Sequence, residues 1–344
     1  MSQIFFMESS NWVGKLFLGL AILIGLLVAC SPSEKTFSTY TVTTLLDSKG
    51  EPILFNHPEG LEVDSEGNLY VAEALGSIWQ VSQEGEVSLL ISEDDVSLPA
   101  KIALDSVGTL YVNESAGNRV VKVGKDGIFA IVAGSGEDGY QDGPIDKAQF
   151  FLPIGIAVDA RDYVYVADSG NDRIRQITPD GQVTTIAGSQ PGFADGDGSV
   201  AQFNGLTGLA FDADGNLYIA EATGERIRMI TSDGTVSTVA GTGEEGFADG
   251  KALESLFARP ADVAVDSSGN IYVADLVNHR IRLISTARNV TTIAGGDEPG
   301  YVDGIGSKAR LRFPQAIAIS GNGTIYVADS GNGFIRIITP SDST

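Results

Sequence analysis

The residues best suited to chemistry in this chain are carboxylates that recur in equivalent places. Six short apolar stretches end in an acid, at Glu73, Glu114, Asp168, Glu221, Asp275 and Asp329. A ring of carboxylates is raw material for a divalent-cation site or for proton transfer. Arg119, Arg173, Arg226 and Arg280 closely follow four of these acids, which predicts that acid and arginine brace a turn. The pattern breaks at Glu73 and Asp329, where Ser77 and Phe334 stand in the arginine position. These two acids are therefore expected to be free. A second set, Asp142, Asp195, Asp249 and Asp303, sits in G-[FY]-x-D-G segments. Those segments lack the ligand-rich alternation of a calcium loop, and Asp-Gly favours a tight turn. They are read as turns, with an aromatic filling a gap between units.

Other catalytic chemistry is sparse. The two histidines, His57 and His279, lie far apart in the sequence, and the single cysteine, Cys30, lies near the N-terminus. No nucleophile elbow, zinc-binding helix motif or phosphate loop is present. The sequence therefore assigns no catalytic residue, no metal site and no cofactor. The formal charge of −23 argues against a nucleic-acid partner, whose phosphates require a basic face.

Lys15 precedes an apolar run over 16–29. Fourteen helical residues span about 21 Å, short of a hydrocarbon core of about 30 Å, so the run reads as a signal segment. Met7 is an alternative start to Met1. Leu27-Val28-Ala29-Cys30 resembles the lipobox of bacterial lipoproteins. That resemblance implies a signal peptide over 1–29, a lipidated Cys30 and a short tether over 30–38. The protein would then be anchored in the bacterial cell envelope, facing periplasm or exterior. Ser31 after the cysteine favours the outer membrane.

The elements that position the acids repeat. A tyrosine recurs at 70, 111, 165, 218, 272 and 326, in steps of 41, 54, 53, 54 and 54 residues. Each unit holds four short β-branched or aromatic runs between Asp/Gly/Asn turns; in the third they cover 154–158, 163–167, 173–177 and 183–187. Four-stranded units near this period predict a β-propeller. The sixth unit lacks its last strand, while TVTTLL at 41–46 copies the VTTIAG and VSTVAG runs that close units three to five. The expected fold is all-β: a six-bladed propeller over 39–340, its last blade closed by the N-terminal strand, followed by a tail over 341–344.

The units GNLYVA, ADSGNDRI and PDGQVTTIAG resemble NHL repeats. The resemblance implies a top face, carrying the long inter-blade loops, where ligands bind. Blades 6 and 1 are neighbours in a closed ring, so Glu73, Asp329, Phe334 and His57 are expected to share a sector beside the short loop ISEDDVSLPA at 91–100. They form the candidate ligand-binding site, the competing reading being a degenerate seam. The expected role is a monomeric, non-catalytic scaffold for a protein, peptide or envelope glycan. The alternative is a metal-dependent hydrolase, lactonase or lyase acting at the channel mouth.

Overall fold

The computed structural model describes residues 39–124 and 127–341. The readings on 1–38, Cys30 among them, and on 342–344 lie outside the described residues. Among the described residues no helix is long and apolar enough to cross a membrane.

Six antiparallel sheets form the blades of a propeller. Their innermost strands are Pro58–Val63, Pro99–Leu104, Pro153–Val158, Leu206–Phe211, Pro260–Val265 and Pro314–Ile319. Each second strand is buried along its whole length or nearly so, as in Val164–Asp168. That explains why runs such as YVYVA are apolar at every position: both faces pack against other blades. In blades 1 to 5 the turns between first and second strands use an aspartate that accepts backbone N–H groups two and four residues on, as Asp212 does from Asp214 and Asn216. Gly215, at φ 82°, supplies the left-handed residue that this turn requires.

Thr39–Thr44 is the outer strand of the sixth blade, pairing antiparallel from Thr39 with Ser341 to Thr44 with Arg336. The displaced strand is thus where the sequence predicts, shifted two residues toward the N-terminus. Leu45 continues the ladder to the Ile335 carbonyl, and Leu46 turns away to bridge Pro52. Val42 is fully buried, so Val42→Ala is expected to destabilise the propeller by about 2 kcal/mol. Urea unfolding checks this; an unchanged midpoint would show that the strand is dispensable.

Blades 3 to 6 gain a fifth, two-residue strand from the preceding inter-blade loop. Gly143–Pro144, Gly196–Asp197, Gly250–Lys251 and Gly304–Ile305 each cover an outer edge. Blades 1 and 2 have four strands only.

Candidate functional site

All six ring acids do one backbone task. Each accepts the N–H of the residue seventeen positions earlier: Asn56 to Glu73 at 2.6 Å, Ser97 to Glu114 at 2.9 Å and Phe151 to Asp168 at 2.7 Å. Asn204, Ala258 and Arg312 do the same for Glu221, Asp275 and Asp329 at 2.9, 2.8 and 2.6 Å. The carboxylates fasten the end of each inter-blade loop just before it enters the inner strand.

The arginine expected to brace each acid is corrected by the structure. Glu114 does pair with Arg119. In blades 3 to 6, however, the partner lies seven residues after the acid. Arg175, Arg228, Arg282 and Arg336 are fully buried and bind Asp168, Glu221, Asp275 and Asp329 at 2.7, 3.1, 2.6 and 2.9 Å. Their other face binds Asp142, Asp195, Asp249 and Asp303 at 2.6, 2.6, 2.7 and 2.5 Å. Those aspartates therefore do more than turn the chain. Burial pushes Asp275 above its ordinary value, while Arg282, the Ala258 N–H and Asn278 pull against it.

Arg173, Arg226 and Arg280 instead lie under the aromatic of the G-[FY]-x-D-G segment. They stand 4.5 Å from Tyr140, 3.9 Å from Phe193 and 4.0 Å from Phe247. In blade 6 Phe334 takes that place and stacks on Tyr301, with ring centroids 4.5 Å apart and planes at 18°.

Asp329 is therefore not free, because Arg336 and Asn332 both bind its Oδ2. Glu73 is also buried, and among the described residues it is the one ring acid without a guanidinium on it. Phe334 is half-buried. The structure does bring all four residues to one seam. Leu54 bridges Phe334, the Phe55 N–H donates to the Gly333 carbonyl, and the Ala74 N–H donates to the His57 carbonyl.

The seam also lacks an inter-blade fastening found elsewhere. Asn118, Asp172, Glu225 and His279 each accept the N–H of the residue preceding the next inner strand, at 3.0, 2.8, 2.6 and 3.2 Å. Gly333 occupies that place in blade 6 and has no side chain to offer His57. His279 accepts through Nδ1, and burial holds its pKa below the ordinary value, so it serves as a neutral acceptor. Leu54 is 71% exposed, and Asn56 and His57 are exposed beside it.

The central channel carries a feature that the sequence reading missed. Lys101 of blade 2 reaches Asp262 of blade 5, its Nζ 3.1 Å from Oδ2, with both side chains buried. Nζ also donates to the Glu59 carbonyl at 2.9 Å and to that of Gln315 at 2.5 Å. Equivalent positions hold Gly60, Gly155, Gly208 and Ala316. A Cβ on Gly208 would lie 2.1 Å from Asp262 Oδ1, so glycine makes room for the pair. A cavity of about 230 Å³, lined by the inner strands and Glu62, adjoins it. Burial pushes Glu62 up to about 7, with the Asp262 charge adding to it. Among the described residues no three His, Cys, Asp or Glu side chains are grouped to hold a metal ion.

A family model of the NHL repeat matches residues 257–282 and 311–338. Protein SUPPRESSOR OF QUENCHING 1, chloroplastic, of Arabidopsis thaliana is 26% identical over 324 residues, covering 72% of this chain and 31% of that protein. Human NHL repeat-containing protein 2 is 27% identical over 280 residues, covering 70% and 38%. The chain thus spans well under half the length of these curated relatives. Among solved structures, an auxiliary nutrient binding protein from Bacteroides thetaiotaomicron superposes with a TM-score of 0.70 at 16% identity, covering 87% of this chain and 76% of that one. A streptogramin B lyase gives 0.58 at 15%, covering 89% and 99%. A gluconolactonase from Xanthomonas campestris gives 0.61 at 13%, covering 89% and 91%. These likenesses establish the six-bladed fold and its NHL repeats.

Proposed function

We propose that this NHL-repeat propeller is a lipid-anchored, extracytoplasmic binding module of a bacterial envelope, and that its ligand is a protein, peptide or glycan. Anchoring rests on the lipobox-like run ending at Cys30. The observation that carries the reading is the seam between blades 6 and 1. There Gly333 and Phe334 replace the fastening side chain and the arginine, as Gly76 and Ser77 do in blade 1, but with an aromatic, and an apolar and aromatic surface lies open on the top face. Glu73 and Asp329 shape it from beneath by holding backbone, so contact falls to Leu54, Asn56, His57 and Phe334. An aromatic beside an apolar side chain and an imidazole suits a peptide side chain or a sugar ring. The word "binding" in the name of a Bacteroides neighbour agrees with this role, and the ion pair across the channel leaves less room for a substrate at its centre.

The test captures partners from detergent-solubilised envelope with the full chain. The triple variant Leu54→Ser/His57→Ala/Phe334→Ala and the exposed pair Leu54→Ser/His57→Ala run alongside. A partner held by the wild type and lost by both variants is expected. A partner held equally by all three would remove the seam from the reading. The hydrolase, lactonase or lyase alternative draws on the lyase and gluconolactonase neighbours and on the near-neutral Glu62. Turnover of lactones that disappears in Glu62→Gln would favour it.

A further inference from the structure

The fold supplies its own control for an open binding edge. In the four capped blades, the outer-strand residue facing the cap is Val183, Val236, Val290 or Val42, and none is more than 1% exposed. The same register position in blade 1 is Val87, at 39% exposure, followed two residues on by Leu89 at 51%. The blade 1 outer strand, Val87–Ile91, therefore carries the apolar residues of a covered edge, while the preceding loop reaches only as far as Gly85, whose carbonyl accepts the Ser48 N–H, and pairs no strand with it. An unpaired edge strand invites another strand, and native proteins usually cap or charge it.

Here the charges flank the edge and leave the ladder clear. Glu84 and Glu86 precede the strand, and Glu93, Asp94 and Asp95 follow it; all five are exposed. Five carboxylates set around one edge select against a second copy of this chain, which would bring five more, and attract an extended segment rich in lysine or arginine. The internal caps show the geometry such a segment adopts, antiparallel to the outer strand with its backbone over the valine. We propose that the blade 1 edge binds an extended, basic, apolar-alternating peptide segment of a partner protein by adding it as a fifth strand. This surface shares no residue with the seam patch, so either reading can fail alone.

The probe is a fluorescent peptide of alternating valine and lysine, titrated by anisotropy into the full chain in neutral detergent. The controls are the same peptide N-methylated on alternate backbone nitrogens, and its valine–glutamate counterpart. The native-backbone basic peptide is expected to bind, weakening as salt rises. It should protect the amides of 87–91 from hydrogen exchange. Binding should fall at least tenfold for either control peptide and for Leu89→Lys, whose exposed side chain is not needed for folding. Equal binding by the N-methylated peptide would reduce the interaction to charge alone and overturn the proposal. Unchanged affinity in Leu89→Lys would place the peptide elsewhere and overturn it too. Concentration-dependent dimers lost in Leu89→Lys would make a second copy the occupant.

Discussion

Arg282→Ala is expected to lower the unfolding free energy by about 3–5 kcal/mol, the cost of leaving a buried charge unpaired. Arg282 spends its guanidinium on Asp275 Oδ2, the Leu256 and Ala248 carbonyls and Asp249 Oδ1, with the last accepting from both Nη2 and Nε. Asp249 also accepts the Thr292 N–H at 3.0 Å. One side chain thereby ties the loop before blade 5 to two strands of that blade. Without it, Asp275 keeps the Ala258 N–H and Asn278 but faces a vacated apolar space beside Phe257. Desolvation, already the largest influence on that carboxyl, would then favour the protonated form further. A carboxyl whose folded-state pKa rises loses stability as pH rises. The deficit of Arg282→Ala should therefore be larger at pH 8 than at pH 5, and Asp275→Asn in the same chain should recover part of it at pH 8. Lys251→Ala breaks only the exposed pair with Glu254 and should change stability by less than about 1 kcal/mol. Urea midpoints decide the matter: equal effects from the two substitutions would mean that the buried network contributes nothing beyond surface pairing.

Trp79 shows how the same position can be filled without charge. It pairs with Val71 where Arg175 pairs with Val166, so it occupies the arginine site of blade 1. Its Nε1 is buried without a hydrogen-bond partner. Blade 2 has Val121 there. Both blades also lack the two-residue cap that brings the second aspartate. The arginine and its capping loop thus occur together or not at all, as expected if a buried guanidinium is tolerable only when both sides are answered.

The strands, the blade count and the displaced closing strand were legible because they rest on local periodicity and on one arithmetic fact, a unit short of its last run. The partners of the ring acids were not. Asp168 and Arg173 stand directly opposite each other on neighbouring strands, yet Arg173 turns to Tyr140 and Arg175 reaches the acid. The choice depends on an aromatic some thirty residues away, whose position no spacing rule supplies. Asp329 reads as free because Phe334 stands in the near position, while its partner is Arg336. The channel ion pair left a fainter trace: Lys101 and Asp262 stand in inner strands where the sister units carry glycine or alanine. Reading the units in register would have marked both residues. It could not have shown that they meet across the axis, because that contact joins blades 2 and 5.

Glu62→Gln is expected to stabilise the folded protein at pH 8 by about 1–3 kcal/mol and to leave it unchanged at pH 4. Glu62 lines the channel cavity, accepts the Val63 N–H at 2.9 Å and titrates near 7 rather than at its ordinary 4.5. A rise of that size corresponds to roughly 3 kcal/mol, and channel water screening a half-buried group reduces what is measured. Between about pH 4.5 and 7 the folded state holds the proton that the unfolded chain has released. Folding therefore binds protons, and stability falls as pH rises through that window. Below it the carboxyl is neutral in both states and costs nothing; above it the folded protein bears the whole penalty. Glutamine keeps the acceptor oxygen and removes the charge beside Asp262. Glu225, which burial also pushes up to about 7, remains in the variant, so the stability curve of Glu62→Gln should still slope, only less steeply. Urea unfolding of both proteins at pH 4, 6 and 8 measures the difference. A gap of the same size at all three values would mean that Glu62 titrates alike in the folded and unfolded chain and is ionised at pH 6 and 8. The channel would then hold two full negative charges against Lys101, an arrangement better matched to a cation-binding centre than to a closed structural core.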